Sequence, residues 1–277
     1  MTPLSYVDRQ GGGATADGPH ACEDDRVTTM LPQLLDGLAR DPGRPRVTWY
    51  GDGERVELSG TVLLNWVTKT TNLLVEELDA APGTRVLLDL PAYWRTLTWA
   101  PAVWRCGATV VLPGDDGGSV DARPVDVVVT DRPDAHDPRS PLVAVAPAAL
   151  ARSWPGALPA GALDAASSVM TYADALGWVP PTDVDAPALV TATGATAHAE
   201  LVAAALAQHT WAPTRPRVAL DVPRAASRAA ALEATLTTAL AAWARDGSLV
   251  LLDAAAHDPA ERERAVRGER VDVDTAR

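Results

Sequence analysis

The chain has 277 residues with a formal net charge of -12, and 47% of the residues are hydrophobic. This is the composition of a globular protein with enough apolar residues to bury a core. The acidic balance argues against a general nucleic-acid or anionic-membrane binder, because both need a basic surface.

The compartment is also indicated by composition. No run approaches the ~18 consecutive apolar residues of a membrane span. The first residues show neither the basic nor the apolar region of a secretory signal. Two cysteines, Cys22 and Cys106, are too few for a disulfide framework or a zinc site. We therefore expect a cytoplasmic protein, with neither nucleic acid nor membrane among its partners.

The N-terminal quarter is expected to begin without regular structure. Residues 1–27 lack an apolar period and are predicted to be a disordered N-terminal tail. Leucines at helical spacing then predict a helix over 31–38. Two strand-like runs, 46–50 and 55–58, flank Gly51-Asp52-Gly53, which is the pattern of a β-hairpin.

A strand–helix–strand unit follows. Ser59 is a suitable N-cap for an amphipathic helix. We expect a buried strand at 84–90, a helix opened by Pro91 and kinked or split by Pro101, and a second strand at 108–112. A unit of this kind implies a parallel pair of strands.

The alternation of strands and helices continues towards the C-terminus. Residues 147–187 are expected to be irregular with a short helix, and residues 256–277 to form a charged C-terminal tail. Further strands are predicted at 125–130, 142–146, 188–191, 217–220 and 248–252. The predicted fold is therefore α/β: one domain over 28–255, with a mostly parallel sheet flanked by helices.

Three short motifs follow one another between residues 82 and 113. Residues 82–86 read Pro-Gly-Thr-Arg-Val, residues 88–91 read Leu-Asp-Leu-Pro, and residues 105–113 read Arg-Cys-Gly-Ala-Thr-Val-Val-Leu-Pro. With the hairpin before them, they resemble the N-terminal part of AMP-binding, adenylate-forming enzymes, such as acyl-CoA synthetases and adenylation domains. Residues 217–252 resemble a later block more loosely. The whole chain resembles a short actinobacterial family distantly related to these enzymes.

The resemblance implies a site. The enzymes hold ATP phosphates with a loop of the form Thr-Ser-Gly-Thr-Thr-Gly-x-Pro-Lys, and the equivalent residues 191–200 read Thr-Ala-Thr-Gly-Ala-Thr-Ala-His-Ala-Glu. Thr193, Gly194 and Thr196 fit the pattern and are the implied cofactor-binding residues of a degenerate loop. Glu200 stands where the lysine belongs, and Ala197 replaces the second glycine. The alternative is an ordinary helix start in an alanine-rich chain.

We expect the substitutions to weaken nucleotide binding. A lost charged hydrogen bond costs about 1.5–3 kcal/mol, and a carboxylate ~4 Å from a phosphate adds about 1–4 kcal/mol of repulsion. We expect no cofactor, or weak ATP or AMP binding at most.

The chain contains one lysine, Lys69. The resemblance implies two lysines, one in the phosphate loop and one in a C-terminal domain, and Lys69 lies on the first long helix instead. We therefore expect no catalytic residue and no self-sufficient acyl adenylation, as in a pseudoenzyme.

A small group of possible metal ligands follows the strand at 125–130. Carboxylates and imidazole suit a metal ion, but a solvated turn between prolines is the interpretation we favour, so no metal site is predicted. The group consists of Asp131, Asp134, His136 and Asp137.

Tryptophan takes an unusual share of the composition: the chain has nine tryptophans and no phenylalanine. We expect most of them to fill the core in place of phenylalanine, whereas an exposed tryptophan would suggest an interface anchor. Three hypotheses stay open: a non-catalytic binding or interaction protein, an adenylate- or acyl-binding half-enzyme completed by a partner chain, and a ligand-free scaffold. A homo-oligomer or a partner protein is expected in each case.

Overall fold

The computed structural model describes residues 30–51, 53–137, 139–222, 227–254 and 257–276. The predicted tail at 1–27 lies outside the described residues. No helix within these ranges is long and apolar enough to cross a membrane.

Strands and helices alternate along most of the described chain. In chain order the elements are α1 (Leu31–Leu38), β1 (Pro45–Gly51), β2 (Glu54–Ser59), α2 (Gly60–Leu78), β3 (Arg85–Asp89), α3 (Thr96–Arg105), β4 (Thr109–Val111), β5 (Val127–Thr130), β6 (Leu142–Ala144), β7 (Leu163–Asp164), α4 (Ala165–Ser168), β8 (Pro187–Thr191), β9 (Gly194–Ala197), α5 (Leu201–Ala207), β10 (Arg217–Val222), α6 (Arg228–Ala244), β11 (Ser248–Asp253), α7 (Pro259–Gly268) and β12 (Val273–Asp274).

The strands form two sheets. One has five strands in the order β12-β10-β11-β1-β2, and the other has seven in the order β7-β6-β5-β3-β4-β8-β9. Among the strand pairs of the described residues, only β1–β2 and β8–β9 are antiparallel. The α/β class and the mostly parallel arrangement are thus confirmed, but the strands divide between two sheets, where one was predicted.

The first hairpin and the helix after it agree with the prediction. Strands β1 and β2 pair through Thr48 and Glu57, and the Ser59 side chain accepts a hydrogen bond from the Val62 amide at 3.4 Å. Gly60 begins α2 in contact with the end of α1. A Cβ atom there would collide with the carbonyl oxygen of Leu38, so only glycine fits.

The helix after β3 begins later than predicted. It starts at Thr96, whose hydroxyl donates to the carbonyl of Pro91 at 2.7 Å, and not at Pro91 itself. Pro101 lies inside α3 without ending it. The helix is buried from Thr96 to Trp104, so packing against α1, α2 and α6 offsets the missing backbone hydrogen bond.

Most of the buried aromatic volume is tryptophan, as predicted. Five tryptophans are at most 4% exposed: Trp49, Trp94, Trp99, Trp104 and Trp243. The indole of Trp104 also donates to the carbonyl of Ala188 at 2.8 Å, which ties α3 to the seven-stranded sheet.

The charged tail predicted over 256–277 is described at 257–276, where it forms regular structure. Asp258 and Glu261 make a capping box that starts α7, and β12 pairs in parallel with β10. Arg262 bridges Asp221 and Asp274 at 2.6 and 2.5 Å. The charges of this segment are therefore used in contacts with the first sheet, which low hydrophobicity alone does not reveal.

Candidate functional site

The segment that resembles a phosphate loop is a tight hairpin. Strands β8 and β9 pair up to Thr191 and Gly194, which leaves a turn of two residues, 192 and 193. Gly194 has φ +147°, a conformation that favours glycine. We expected a strand, a loop and a helix, so the polar strand β9 is a correction to the sequence prediction.

Only part of the predicted site is gathered at the turn. Thr193 and Gly194 are exposed at its tip, whereas Thr196 lies along β9 opposite Leu189. The hydroxyl of Thr193 lies 2.9 Å from that of Thr191, which also accepts a hydrogen bond from the Thr193 amide at 3.2 Å. The polar groups of the turn therefore bind one another.

The segment continues through a buried and an exposed residue. His198 is 4% exposed, its Nε2 has no hydrogen-bond partner, and burial lowers the pKa of its imidazole although the Gly107 and Ala108 backbone raises it. Glu200 is exposed immediately before α5. His198 thus fixes the hairpin to the domain, and Glu200 places a carboxylate at the start of the next helix.

The turn lies at the carboxyl edge of the seven-stranded sheet. Leu87 pairs with Val111, and Val111 pairs with Val190. Because neighbouring strands are about 4.8 Å apart, the turn is roughly 10 Å from the end of β3. Ligands of α/β proteins bind outside this edge of the sheet.

A buried carboxylate lies at the same edge. Asp89, the last residue of β3, is fully buried. Its carboxylate accepts hydrogen bonds from Thr130 Oγ1 at 3.1 Å and from Arg132 Nη2 at 2.9 and 3.0 Å. His136 Nε2 lies 2.8 Å from its Oδ2. The ends of β3 and β5 are thereby joined by charged groups.

Arg228 completes this charge cluster, which we define as Asp89, Thr130, Asp131, Arg132, His136 and Arg228. Arg228 Nη1 donates to the carbonyl of Asp89 at 3.0 Å and to Asp131 Oδ1 at 2.5 Å. Burial opposes ionisation of Asp89, but the His136 hydrogen bond and the charges of Arg228 and Arg132 hold the pKa of this carboxyl below its ordinary value. Asp89 is therefore an anion at neutral pH.

A cavity of about 310 Å³ opens beside the cluster. Its walls come from the loop after β4, the segment after β5 and the first turn of α6. They are formed by Pro113, Gly114, Asp115, Asp116, Gly117, Arg132, Ala135, His136, Ser227, Arg228 and Ala229. The Arg132 side chain is 48% exposed, whereas that of His136 is 9% exposed.

The prediction of a solvated turn at Asp131, Asp134, His136 and Asp137 is wrong for two of these four residues. His136 binds Asp89, and Asp131 binds Arg228. Asp137 pairs with Arg139 at 2.6 Å, and Asp134 is exposed. Within the described ranges no three histidine, cysteine or acidic residues form a group that could hold a metal ion.

The sequence contained a signal for the charge cluster. Asp89 is the one charged residue among the apolar residues 86–90, and Thr130-Asp131-Arg132 ends a later apolar strand, β5. Polar residues at the carboxyl ends of two parallel strands meet at one sheet edge. The distant Arg228 carries no such signal.

Lys69 lies on α2, as predicted, and not at the carboxyl edge. Its Nζ donates to the carbonyl of Tyr172 and pairs with Asp174 at 3.0 Å. The one lysine of the chain thus serves to hold the segment after α4 against α2.

The comparisons with known proteins agree with this architecture. No protein-family model matches the chain. A curated protein of Mycobacterium tuberculosis, described as a TIGR03089 family protein, is 48% identical over 88 residues, which are 31% of this chain and 36% of that protein. The inhibitor-bound N-terminal domain of FACL13 from Mycobacterium tuberculosis superimposes with a TM-score of 0.63 at 17% identity, covering 88% of this chain and 62% of that one. The chain has the fold of the N-terminal domain of adenylate-forming enzymes.

Further solved structures share this adenylate-forming fold. A fatty acyl CoA synthetase of Mycobacterium tuberculosis gives a TM-score of 0.61 at 17% identity, covering 88% of this chain and 48% of that one. The artificially fused adenylation–PCP di-domain NpsA-ThdA from Klebsiella oxytoca gives 0.61 at 15% identity, covering 88% and 42%. The chain therefore spans between about a third and three fifths of the length of these proteins. The predicted resemblance, including its actinobacterial side, is confirmed.

Proposed function

We propose that the chain is a non-catalytic binding protein built on the adenylate-forming fold, a pseudoenzyme that does not activate acyl groups with ATP. The observation that carries this proposal is the geometry of residues 191–200. The phosphate-loop equivalent is a two-residue turn between paired strands, and Glu200 follows it in place of a lysine.

The hairpin provides few groups for a triphosphate. Binding phosphates takes several free amides and a cation. Here the amide of Thr193 is already bonded to Thr191, and pairing with β8 commits the backbone groups of Gly194–Ala197 on the side that faces β8. The carboxylate of Glu200 would add about 1–4 kcal/mol of repulsion at ~4 Å from a phosphate.

Two measurements on the purified chain test the proposal. Calorimetric titration with Mg-ATP and with a non-hydrolysable acyl-adenylate analogue should give flat heats. Pyrophosphate release from ATP with a mixture of short and long carboxylic acids, with and without coenzyme A, should stay at the no-protein background. Steady pyrophosphate release would refute the proposal.

A second candidate is an adenylate- or acyl-binding half-enzyme that a partner chain completes. The exposure of Thr193 and Gly194 at the carboxyl edge favours it, because a ligand could reach both. In that case the acyl-adenylate analogue binds saturably and Thr193→Ala weakens it, with Thr182→Ala, outside the hairpin, as control. No change on Thr193→Ala would count against this candidate.

The scaffold hypothesis is supported by one residue. Among the nine tryptophans, all of which lie in the described ranges, Trp178 is the one that is mostly exposed, at 76%. An interface anchored by Trp178 would join this chain to a second copy or to a partner protein. The cytoplasmic location likewise stays a prediction.

A further inference from the structure

We infer that the cavity beside the charge cluster binds a small molecule carrying a carboxylate or a phosphate group, held by Arg132 and the first turn of α6. This inference rests on the proposed binding role and names its site and ligand class. It does not involve the hairpin at 191–197.

The recognising groups are fixed in place by the buried carboxylate. Asp89 holds Arg132 through Nη2 alone, so Nε and Nη1 have no partner among the described residues. The same carboxylate holds His136 through Nε2, so the imidazole forms part of the cavity wall. The guanidinium edge of Arg132 thus faces the cavity without needing to be ordered by a ligand.

The first turn of α6 adds donors to the same wall. The helix is 17 residues long, and its N-cap Ser227 satisfies the amide of Ala230. The amides of Arg228 and Ala229 have no partner inside the helix. They lie at the positive end of the helix dipole, which attracts anions, and both residues line the cavity.

The charges on the cavity walls favour an anion of low charge over a highly charged one. Arg132 and Arg228 are balanced within the cluster by Asp89 and Asp131. Asp115 and Asp116 are both exposed at the cavity, although Asp116 Oδ1 also accepts a hydrogen bond from the amide of Gly118 in its own loop. These two carboxylates repel a highly charged anion, so a carboxylate or a phosphate monoester fits better than a triphosphate.

The volume limits the size of the ligand. At roughly 30 Å³ for each water-sized group, the cavity of about 310 Å³ holds a molecule of about ten non-hydrogen atoms. Stability alone is a weak reason for such a cluster, since replacing a buried ion pair by apolar residues of the same volume is often neutral or stabilising. Binding of a ligand at the exposed edge of Arg132 gives the cluster a function, which is to hold that guanidinium in place.

The test is calorimetric titration of the full chain with inorganic phosphate, glycerol phosphate, propionate and, as a neutral control, glycerol. We expect saturable binding of at least one oxyanion and none of glycerol, and the comparison of propionate with the phosphates tells the two chemistries apart. Arg132→Gln should weaken the binding at least tenfold. Arg139→Gln is the matched control, because Arg139 is 89% exposed and its one ionic partner among the described residues is Asp137.

A second pair of variants leaves the ion pairs intact. Ala135→Leu narrows the cavity and should weaken binding at least tenfold, while Ala160→Leu on an exposed loop should not. Absence of saturable binding by every oxyanion overturns the inference, as does binding that both Arg132→Gln and Ala135→Leu leave unchanged. Pyrophosphate release from ATP, measured on the same samples, reports separately on the proposed function.

Discussion

The imidazole Nε2 of His136 lies 2.8 Å from Oδ2 of Asp89, although 47 positions separate them in the chain. Because an ionised carboxylate only accepts hydrogen bonds, Nε2 carries the proton and donates it. The contact therefore joins the segment after β5 to the end of β3. It places the Asp89–His136 pair beside the cavity, on the same sheet edge as the hairpin at 191–197.

Replacing the buried carboxylate should destabilise the fold. Asp89→Asn removes the charge that faces Arg132 and Arg228, and breaking a buried ion pair costs about 3–5 kcal/mol. Arg132 is half exposed and regains water, so we expect the lower end of that range. The free energy of unfolding in urea measures it. The control is Asp134→Asn, which changes an exposed carboxylate in the segment after β5. It should change the free energy of unfolding by less than about 0.5 kcal/mol.

The same carboxylate should give stability a pH dependence. The pKa of Asp89 in the folded chain lies below its ordinary value of 3.8. A depressed pKa stabilises the fold above the unfolded value, and this contribution is lost as the pH falls through the folded value. Between pH 7 and pH 3, the Tm of the wild type should therefore fall more steeply than that of Asp89→Asn. Parallel curves would show that Asp89 is not the group responsible.

Much of the secondary structure could be read from the sequence. The hairpin over 46–58, the parallel strands and the long helices follow from apolar spacing, caps and turn residues, and the structure places them within a few positions. Strand β9 (Gly194–Ala197) and strand β12 were missed because their residues are polar or small and their pairing partners lie elsewhere in the chain. Short strands of this kind are set by tertiary contacts and not by local propensity.

The candidate site was harder to predict than the fold. Asp89 and Arg132 are 43 positions apart and Arg228 is 139 positions from Asp89, so their meeting depends on strand order. The prediction of a solvated turn around His136 was wrong because it assumed that a local run of polar residues is exposed. The strand order β5-β3-β4 brings that run against the end of β3, where burial makes each charge need a partner.

Restoring a lysine should not restore an ATP site. Glu200→Lys removes the repulsion but leaves the two-residue turn and its internal hydrogen bonds. We expect no pyrophosphate release and no tight Mg-ATP binding by calorimetry. Glu76→Lys, an exposed change of equal charge on α2, separates a local effect from a general gain of positive charge. Release of pyrophosphate by Glu200→Lys alone would mean that the hairpin opens to form a working loop.

The C-terminal helix should depend on one arginine. Arg262 bonds both Asp221 and Asp274, and its side chain is 23% exposed. Since charged hydrogen bonds contribute about 1.5–3 kcal/mol when partly buried, Arg262→Gln should weaken the docking of 258–276 by about 1–2 kcal/mol. Faster hydrogen exchange at the Thr275 amide, which donates to Ala219, would report it. Arg264→Gln is the control, because Arg264 is 65% exposed and its ion pair with Glu261 is long, at 3.9 Å.

The contact between α1 and α2 tests the packing of the first helices. A Cβ atom at Gly60 would collide with the carbonyl oxygen of Leu38, which is backbone and cannot rotate away. Overpacking of this kind costs about 1–3 kcal/mol, so Gly60→Ala should lower the free energy of unfolding by that amount. At Gly43 a Cβ atom would meet nothing within 4 Å, and Gly43→Ala should be neutral or slightly stabilising. Equal stability of the two variants would mean that α1 shifts away from α2 without cost, and that its buried leucines do not fix its position.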